Sequence, residues 1–275
     1  PRNDNSFNCI DGAMLDCATD DGIDSSPSSD IHNMNNGAWG PSKVIDDQWG
    51  RLYYGVRACA LFFSYIDRSN VPDTEVLDND GMPSEDSNLK SRYKAEAKVL
   101  RALIYSELIK RFGDVPWYDK VLGSDDADLY KARDSREFVM GKIMEDLNFA
   151  IEVFKETNRT KELYRVTWWT AQALKSRVGL FEGTYRKYHG LGDYEKYLND
   201  CVSASNEIMT ASGGYSLYQS GSQSYRNLFK SENAIDAEII LARDYNNDLS
   251  LVHKVQAFEN SPTLGRPGLS KKLVN

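Results

Sequence analysis

The residues best suited to chemistry crowd together near the start of the chain: Asn33, Asn35, Asn36, Gly37, Ala38, Trp39 and Gly40. An indole ring can lie against the apolar face of a pyranose. An asparagine amide can donate to one hydroxyl and accept from its neighbour. Glycine lets a backbone approach a ligand closely. The chemistry this cluster suggests is recognition of a sugar; the alternative is that Trp39 plugs a gap beneath its own loop. Two other aromatic pairs invite a stacking role. Trp117-Tyr118 follows Pro116 and could line a groove or simply pack. Trp168-Trp169 sits on a helix, where neighbouring positions face different ways, so one ring should enter the core and the other lie at its edge.

Bond-breaking chemistry finds less support. The sequence has no G-x-S-x-G elbow, no H-E-x-x-H and no G-x-x-x-x-G-K-[ST] loop. Its three histidines, His32, His189 and His253, are isolated. A carboxylate pair for glycoside hydrolysis stays open, because such a pair is set by spatial separation and 41 acidic residues supply candidates. Asp16, Asp20, Asp21, Asp24 and Asp30, and the run Asp78-Asn79-Asp80-Gly81, offer oxygen ligands for calcium. Neither fits the D-x-[DN]-x-[DN]-G loop with its distal Glu, so both read as solvated turns. No cofactor or metal is expected. Cys9, Cys17, Cys59 and Cys201 contain no C-x-x-C pair and read as buried free thiols, with a single Cys9–Cys17 bridge as the alternative.

Composition narrows the class further. The chain has 275 residues and a net charge of −8, with 41% hydrophobic and 27% charged residues. The acidic balance argues against a nucleic-acid partner, which needs clustered Lys and Arg, and it supplies no polybasic membrane patch. The apolar runs are short, and the best of them, Cys59 to Phe63, is far below the ~20 residues that span a bilayer. The chain opens at Pro1 without a charged-then-apolar leader, so any export signal or lipid anchor is expected upstream.

Periodicity shows what must position these residues. Residues 1–42 are dominated by turn formers. Trp49, Tyr53, Val56, Ala60, Phe63 and Asp67 step by three or four, which predicts a helix ending before Pro72. Residues 71–90 read as a loop. Tyr93, Ala97, Leu100, Ile104, Leu108 and Phe112 predict the apolar stripe of a second helix, with Lys94, Lys98 and Arg101 off it and Gly113 ending it. Phe138, Ile143, Leu147, Ile151 and Phe154 predict a third. Ala171, Leu174, Val178, Phe181, Tyr185 and Tyr188 predict a fourth, capped by Thr167. Tyr194, Leu198, Cys201, Ser205 and Ile208 predict a fifth. Tyr225 to Phe229 form a short element, and Glu238 to Ala242 predict a brief buried strand. The fold class expected is mostly α, with tetratricopeptide-like helix pairs and long irregular loops. The small residues Ala171, Ala173, Ser176, Gly179 and Gly183 should let neighbouring helices approach closely.

Three segments carry a family resemblance. Tyr93-Lys94-Ala95-Glu96-Ala97-Lys98-Val99-Leu100-Arg101-Ala102-Leu103, continuing to Arg111-Phe112-Gly113-Asp114-Val115-Pro116, resembles the A-E-A-x-x-L-R-A helix and R-x-F-G-x-V-P exit of the SusD/RagB proteins. Ala171 to Gly183 is similar to the family's A-x-A-L-x-A-R-V helix. Gly268 to Val274 resembles its G-x-t-K-x-L-V stretch. The two helical motifs read as scaffold and not as a binding site. The resemblance covers most of residues 43–275, as the N-terminal part of a longer member.

The resemblance implies a surface-exposed lipoprotein of the outer membrane that binds oligosaccharide or polysaccharide without cleaving it. It implies delivery to a SusC-like, TonB-dependent transporter, and a lipid anchor that this sequence does not contain. It also implies ligand contacts from an early loop with Trp and Asn, and Asn36 and Trp39 are the positions that match. The family is longer than this chain, so part of the ligand site is expected beyond Asn275. A single domain is expected over 1–275, with 1–42 the irregular ligand-loop region, 43–210 helical pairs and 211–275 irregular. A peptide-binding member of the same family, a tetratricopeptide-type adaptor and a helical glycoside hydrolase are the alternatives.

Overall fold

The computed structural model describes residues 19, 22–23, 35–37, 40, 48–76, 88–157, 159–245 and 268–269. The chain divides into two compact units, residues 1–51 with 244–275, and residues 52–243. In the first unit, β1 (Gly22–Ile23) pairs antiparallel with β2 (Gly268–Leu269), Gly22 opposite Leu269 and Ile23 opposite Gly268.

The second unit is helical. Its helices are α1 (Gln48–Ile66, which crosses the unit boundary), α2 (Leu89–Phe112), α3 (Arg136–Thr157), α4 (Trp168–Tyr188), α5 (Tyr194–Thr210) and α6 (Ser224–Lys230). A 3-10 turn over Ala127–Tyr130 lies between α2 and α3. Among the described residues, no helix is long and apolar enough to cross a membrane.

The loop before α2 satisfies that helix's orphan N–H groups. Lys90 N–H donates to Pro72 O at 3.1 Å, and Ser91 N–H donates to Asp73 Oδ1 at 3.0 Å. The helix ends on Gly113, which has φ +68 and donates its N–H to Ile109 O. Thr167 caps α4 from an extended backbone, and its own N–H donates to the Thr170 hydroxyl at 3.2 Å.

The core lies where α2 meets α3 and where α3 meets α4. Tyr105, Leu108, Ile143, Leu147 and Phe154 are fully buried there, each side chain contributing about 1.5–3 kcal/mol of apolar burial. The α4–α5 contact is closer still, and the small residues explain it. A Cβ on Gly179 would stand 2.7 Å from Tyr197 O, and one on Gly183 would meet Leu198 at 2.7 Å. One turn earlier, the Ser176 and Ser205 hydroxyls bond at 2.7 Å.

The apolar stripes predicted from spacing are right in place and off in rotation. Leu100 is 43% exposed, while Arg101 is 7% exposed. Helix α2 meets both α3 and α4, so its buried surface is a broad arc carried by Arg92, Ala95, Val99, Ala102, Tyr105 and Ile109. Phe138 stands 47% exposed at the start of α3, ahead of the buried Ile143 and Leu147. On α4 the stripe holds through Val178 and then turns: Phe181 and Tyr188 face outward, while Glu182, Gly183 and Arg186 are buried.

That turn has an electrostatic cause. Glu182, with no exposed surface, accepts from Arg136 Nη2 at 2.6 Å and from Arg186 Nε at 2.8 Å, and Arg186 also reaches Glu137. Buried charges persist only when paired, so this network selects the face that apolar residues alone would not. The strand predicted over Glu238 to Ala242 is a turn instead: Ile239 N–H donates to Ile235 O, and Ala242 N–H donates to Leu163 O. Those two bonds satisfy the backbone without a neighbouring strand. The short element expected around Tyr225 to Phe229 is the helix α6.

Candidate functional site

Of the two residues singled out for sugar contact, Asn36 is exposed on a turn, followed by Gly37 at φ +68. That positive φ is the conformation glycine tolerates, and a Cβ on Gly37 would meet nothing within 4 Å. Trp39 lies outside the described residues, as do the aspartates at 16–30 and 78–80, Cys9 and Cys17. Among the described residues, no group of three or more His, Cys, Asp and Glu is arranged to hold a metal ion.

Within the second unit, the exit from α2 is fixed by side chains of the helix motifs. Arg101 makes a two-point bond to Asp146 of α3, at 2.7 and 2.8 Å, and Lys98 adds a third at 2.6 Å. The Arg101 guanidinium also lies between two rings, 4.8 Å from Phe63 and 4.7 Å from Trp117. Trp117 in turn stacks on Tyr105 at 4.2 Å. Trp117 is thus buried structure, the packing alternative for that residue.

Tyr118, next in sequence, has the other fate. Its N–H donates to the Tyr105 hydroxyl at 2.7 Å, which leaves its ring on the wall of a groove of about 230 Å³. Tyr53, Val56, Arg57 and Ala60 of α1 line it too, with Lys120, the buried Leu122 and the exposed Leu129. Both phenols are engaged, Tyr53 donating to Pro116 O at 2.8 Å and Tyr118 to Asp128 O at 3.0 Å. The groove therefore offers ring surfaces rather than hydroxyls. Desolvation by burial raises the pKa of the Tyr53 hydroxyl, with the neighbouring Tyr105 adding to it. Tyr53 is thus a neutral donor at physiological pH.

Lys120 bridges Asp126 at 3.4 Å and Asp128 at 2.7 Å, and its hydrogen bond to Asp128 raises its pKa. Asp134 sits behind the groove. Burial opposes its ionisation, but the Lys131 ammonium and the Trp117 N–H, both at 2.7 Å, together hold it below the usual carboxylate range. The arrangement can grip a ligand that presents an apolar face and hydroxyls. The sequence flagged Tyr118 as a possible groove residue and missed Tyr53 and Lys120, which look like ordinary helix and loop positions until the chain folds back.

Trp168 and Trp169 depart from the one-in, one-out expectation: both are 2% exposed. Trp169 meets the Tyr215 ring edge-on at 5.4 Å and donates its indole N–H to Arg159 O at 2.7 Å. Trp168 is covered by the Arg159 guanidinium at 4.6 Å. Segments that pack over the start of α4 bury the ring that helix geometry alone leaves at the edge.

A profile of the SusD-like family, described as "Starch-binding associating with outer membrane", matches residues 30–166. The curated SusD-like protein P25 of Formosa agariphila is 23% identical over 206 residues, 74% of this chain and 33% of that protein. A SusD-like protein from Bacteroides fragilis superposes with a TM-score of 0.60 at 27% identity, over 80% of this chain and 38% of that one. A laminarin-binding SusD-like protein gives a TM-score of 0.58 at 22% identity, over 83% of this chain and 45% of that one. The chain thus spans about a third of the length of the curated relative and less than half of each of these structures.

Proposed function

The chain belongs to the SusD-like family, and on that premise we propose that it binds extracellular oligosaccharide or polysaccharide at the cell surface without cleaving it. In this reading it passes the ligand to a SusC-like, TonB-dependent outer-membrane transporter. A lipid anchor outside residues 1–275 holds it to the membrane, and the helix pairs serve as a tetratricopeptide-like scaffold. The observation that carries the reading is the family match over 30–166, which runs across Asn36, Trp39 and the walls of the aromatic groove. Starch and laminarin, the ligands in the names of the family and of one similar structure, are both glucose polymers. A glucan is therefore the first ligand to test.

Within this function, Trp39 stacks on a sugar ring and Asn36 bonds its hydroxyls. Sugar sites spread their energy over many weak contacts, so Trp39→Ala should weaken glucan binding about tenfold, equivalent to about 1.4 kcal/mol. The melting temperature should barely move. Calorimetric titration and a thermal melt on the same samples decide it. Unchanged affinity would remove Trp39 from the site, and a large fall in melting temperature would make it a structural plug.

A further inference from the structure

Helices α3, α4 and α5 each turn one polar stripe toward a shared pocket of about 250 Å³ that the function above does not use. Asn148, Glu152 and Lys155 come from α3, Gln172 and Lys175 from α4, and Ser203 and Glu207 from α5. All are spaced by three, four or seven, the repeat of one helix face. Ile151 and Trp168 give the pocket an apolar floor.

Gln172 is the telling residue. It is only 5% exposed and lines the pocket, yet its amide makes no hydrogen bond among the described residues. The amide is not among the fully enclosed polar atoms that lack a partner, so it is reached from the pocket it lines, where a ligand can bond it. Lys175, by contrast, is held by Asp200 at 3.2 Å.

The lining decides the ligand class. An anion would face Glu152 and Glu207, and a cation would face Lys155 and Arg159. A ligand whose groups each donate and accept meets no such conflict, and the Gln172 amide and the Ser203 hydroxyl can each pair with it in both senses. The volume lies below that of drug-sized sites, which suits one ring rather than a chain. We propose that this pocket is a second saccharide site, in which Gln172 bonds adjacent hydroxyls of one uncharged sugar residue. The inference rests on the glycan-binding reading given above.

The test is calorimetric titration of the full chain with laminarin and starch oligosaccharides, compared across the unaltered protein, Gln172→Leu, Ser203→Trp and Trp39→Ala. The unaltered protein should bind two equivalents. Gln172→Leu should lose one of them and keep its melting temperature, since the amide it removes has no partner among the described residues. Ser203→Trp, at an exposed rim position, should close the pocket and cause the same loss without touching the buried amide. Trp39→Ala should weaken the other equivalent only. If the unaltered protein binds and both pocket variants titrate like it, the second site is refuted and the glycan-binding reading stands. If the unaltered protein binds neither oligosaccharide, both fall together.

Discussion

Replacing single glycines by alanine should separate the free surface of the helices from their closest contact. In a helix interior, Gly→Ala stabilises by about 0.5–1 kcal/mol, because alanine loses less backbone entropy on folding. At Gly141 in α3 a new Cβ meets nothing within 4 Å, so Gly141→Ala should deliver that gain in full. At Gly179 in α4 the same Cβ would stand 2.7 Å from Tyr197 O and 3.0 Å from Cys201 N. Both atoms are backbone, so relief requires α5 to move away from α4.

Overpacking of this kind costs about 1–3 kcal/mol. After the helix gain is subtracted, Gly179→Ala should be destabilised by up to about 2.5 kcal/mol. For a chain of this size 1 kcal/mol moves the melting temperature by about 2–4 °C. The two variants should therefore melt on opposite sides of the unaltered protein, by circular dichroism and by urea midpoint alike. Gly183→Ala should fall between them, because the two nearest atoms, at 2.7 Å, belong to the Leu198 side chain, which can yield, and only Leu198 N at 3.0 Å is backbone. Equal stability of Gly141→Ala and Gly179→Ala would refute the close α4–α5 contact.

Three further outcomes follow from the buried polar groups. Asp146→Ala should destabilise by about 3–5 kcal/mol, since it strands the buried Arg101; a urea midpoint near that of the unaltered protein would mean the pair is solvated. Tyr197 is 1% exposed, its hydroxyl has no partner among the described residues, and burial pushes its pKa up to about 12. Tyr197→Phe should therefore stabilise by roughly 1 kcal/mol, and a clear loss in the melt would show a missed bond. Asp134 has a lowered pKa in the folded state, so its stabilisation is present above the ordinary carboxylate pKa of about 3.9 and is lost as pH falls through the lower folded value. The stability gap between the unaltered protein and Asp134→Asn should hold from neutral pH down to about 4.5 and close below about 4; a gap constant to the acid end would contradict the assignment.

Much of this architecture was readable in the residues, and the failures have a common cause. The helices, the capping Thr167, the terminating Gly113 and the small residues of α4 announce themselves through local spacing and backbone rules. What spacing cannot reveal is a partner far along the chain. Arg101 looks like a surface cation until Asp146, 45 positions away, and the rings of Phe63 and Trp117 enclose it. Leu100 is displaced outward for the same reason. Glu182 is buried because two arginines neutralise it, and Trp168 because Arg159 covers it. In the aromatic groove, Tyr118 could be picked out by residue type and its neighbours. Tyr53 and Lys120 could not, since they become groove residues only when the segment after Pro116 returns to α1.

The central claim is that this chain holds a glycan and leaves its bonds intact. Calorimetric titration of the full chain with laminarin and starch oligosaccharides, with reducing ends assayed in the same mixtures, tests both halves at once. The account predicts saturable heat with at least one of the two sugars and no rise in reducing ends. No binding to either sugar, or a release of reducing ends that a single carboxylate substitution abolishes, would contradict it.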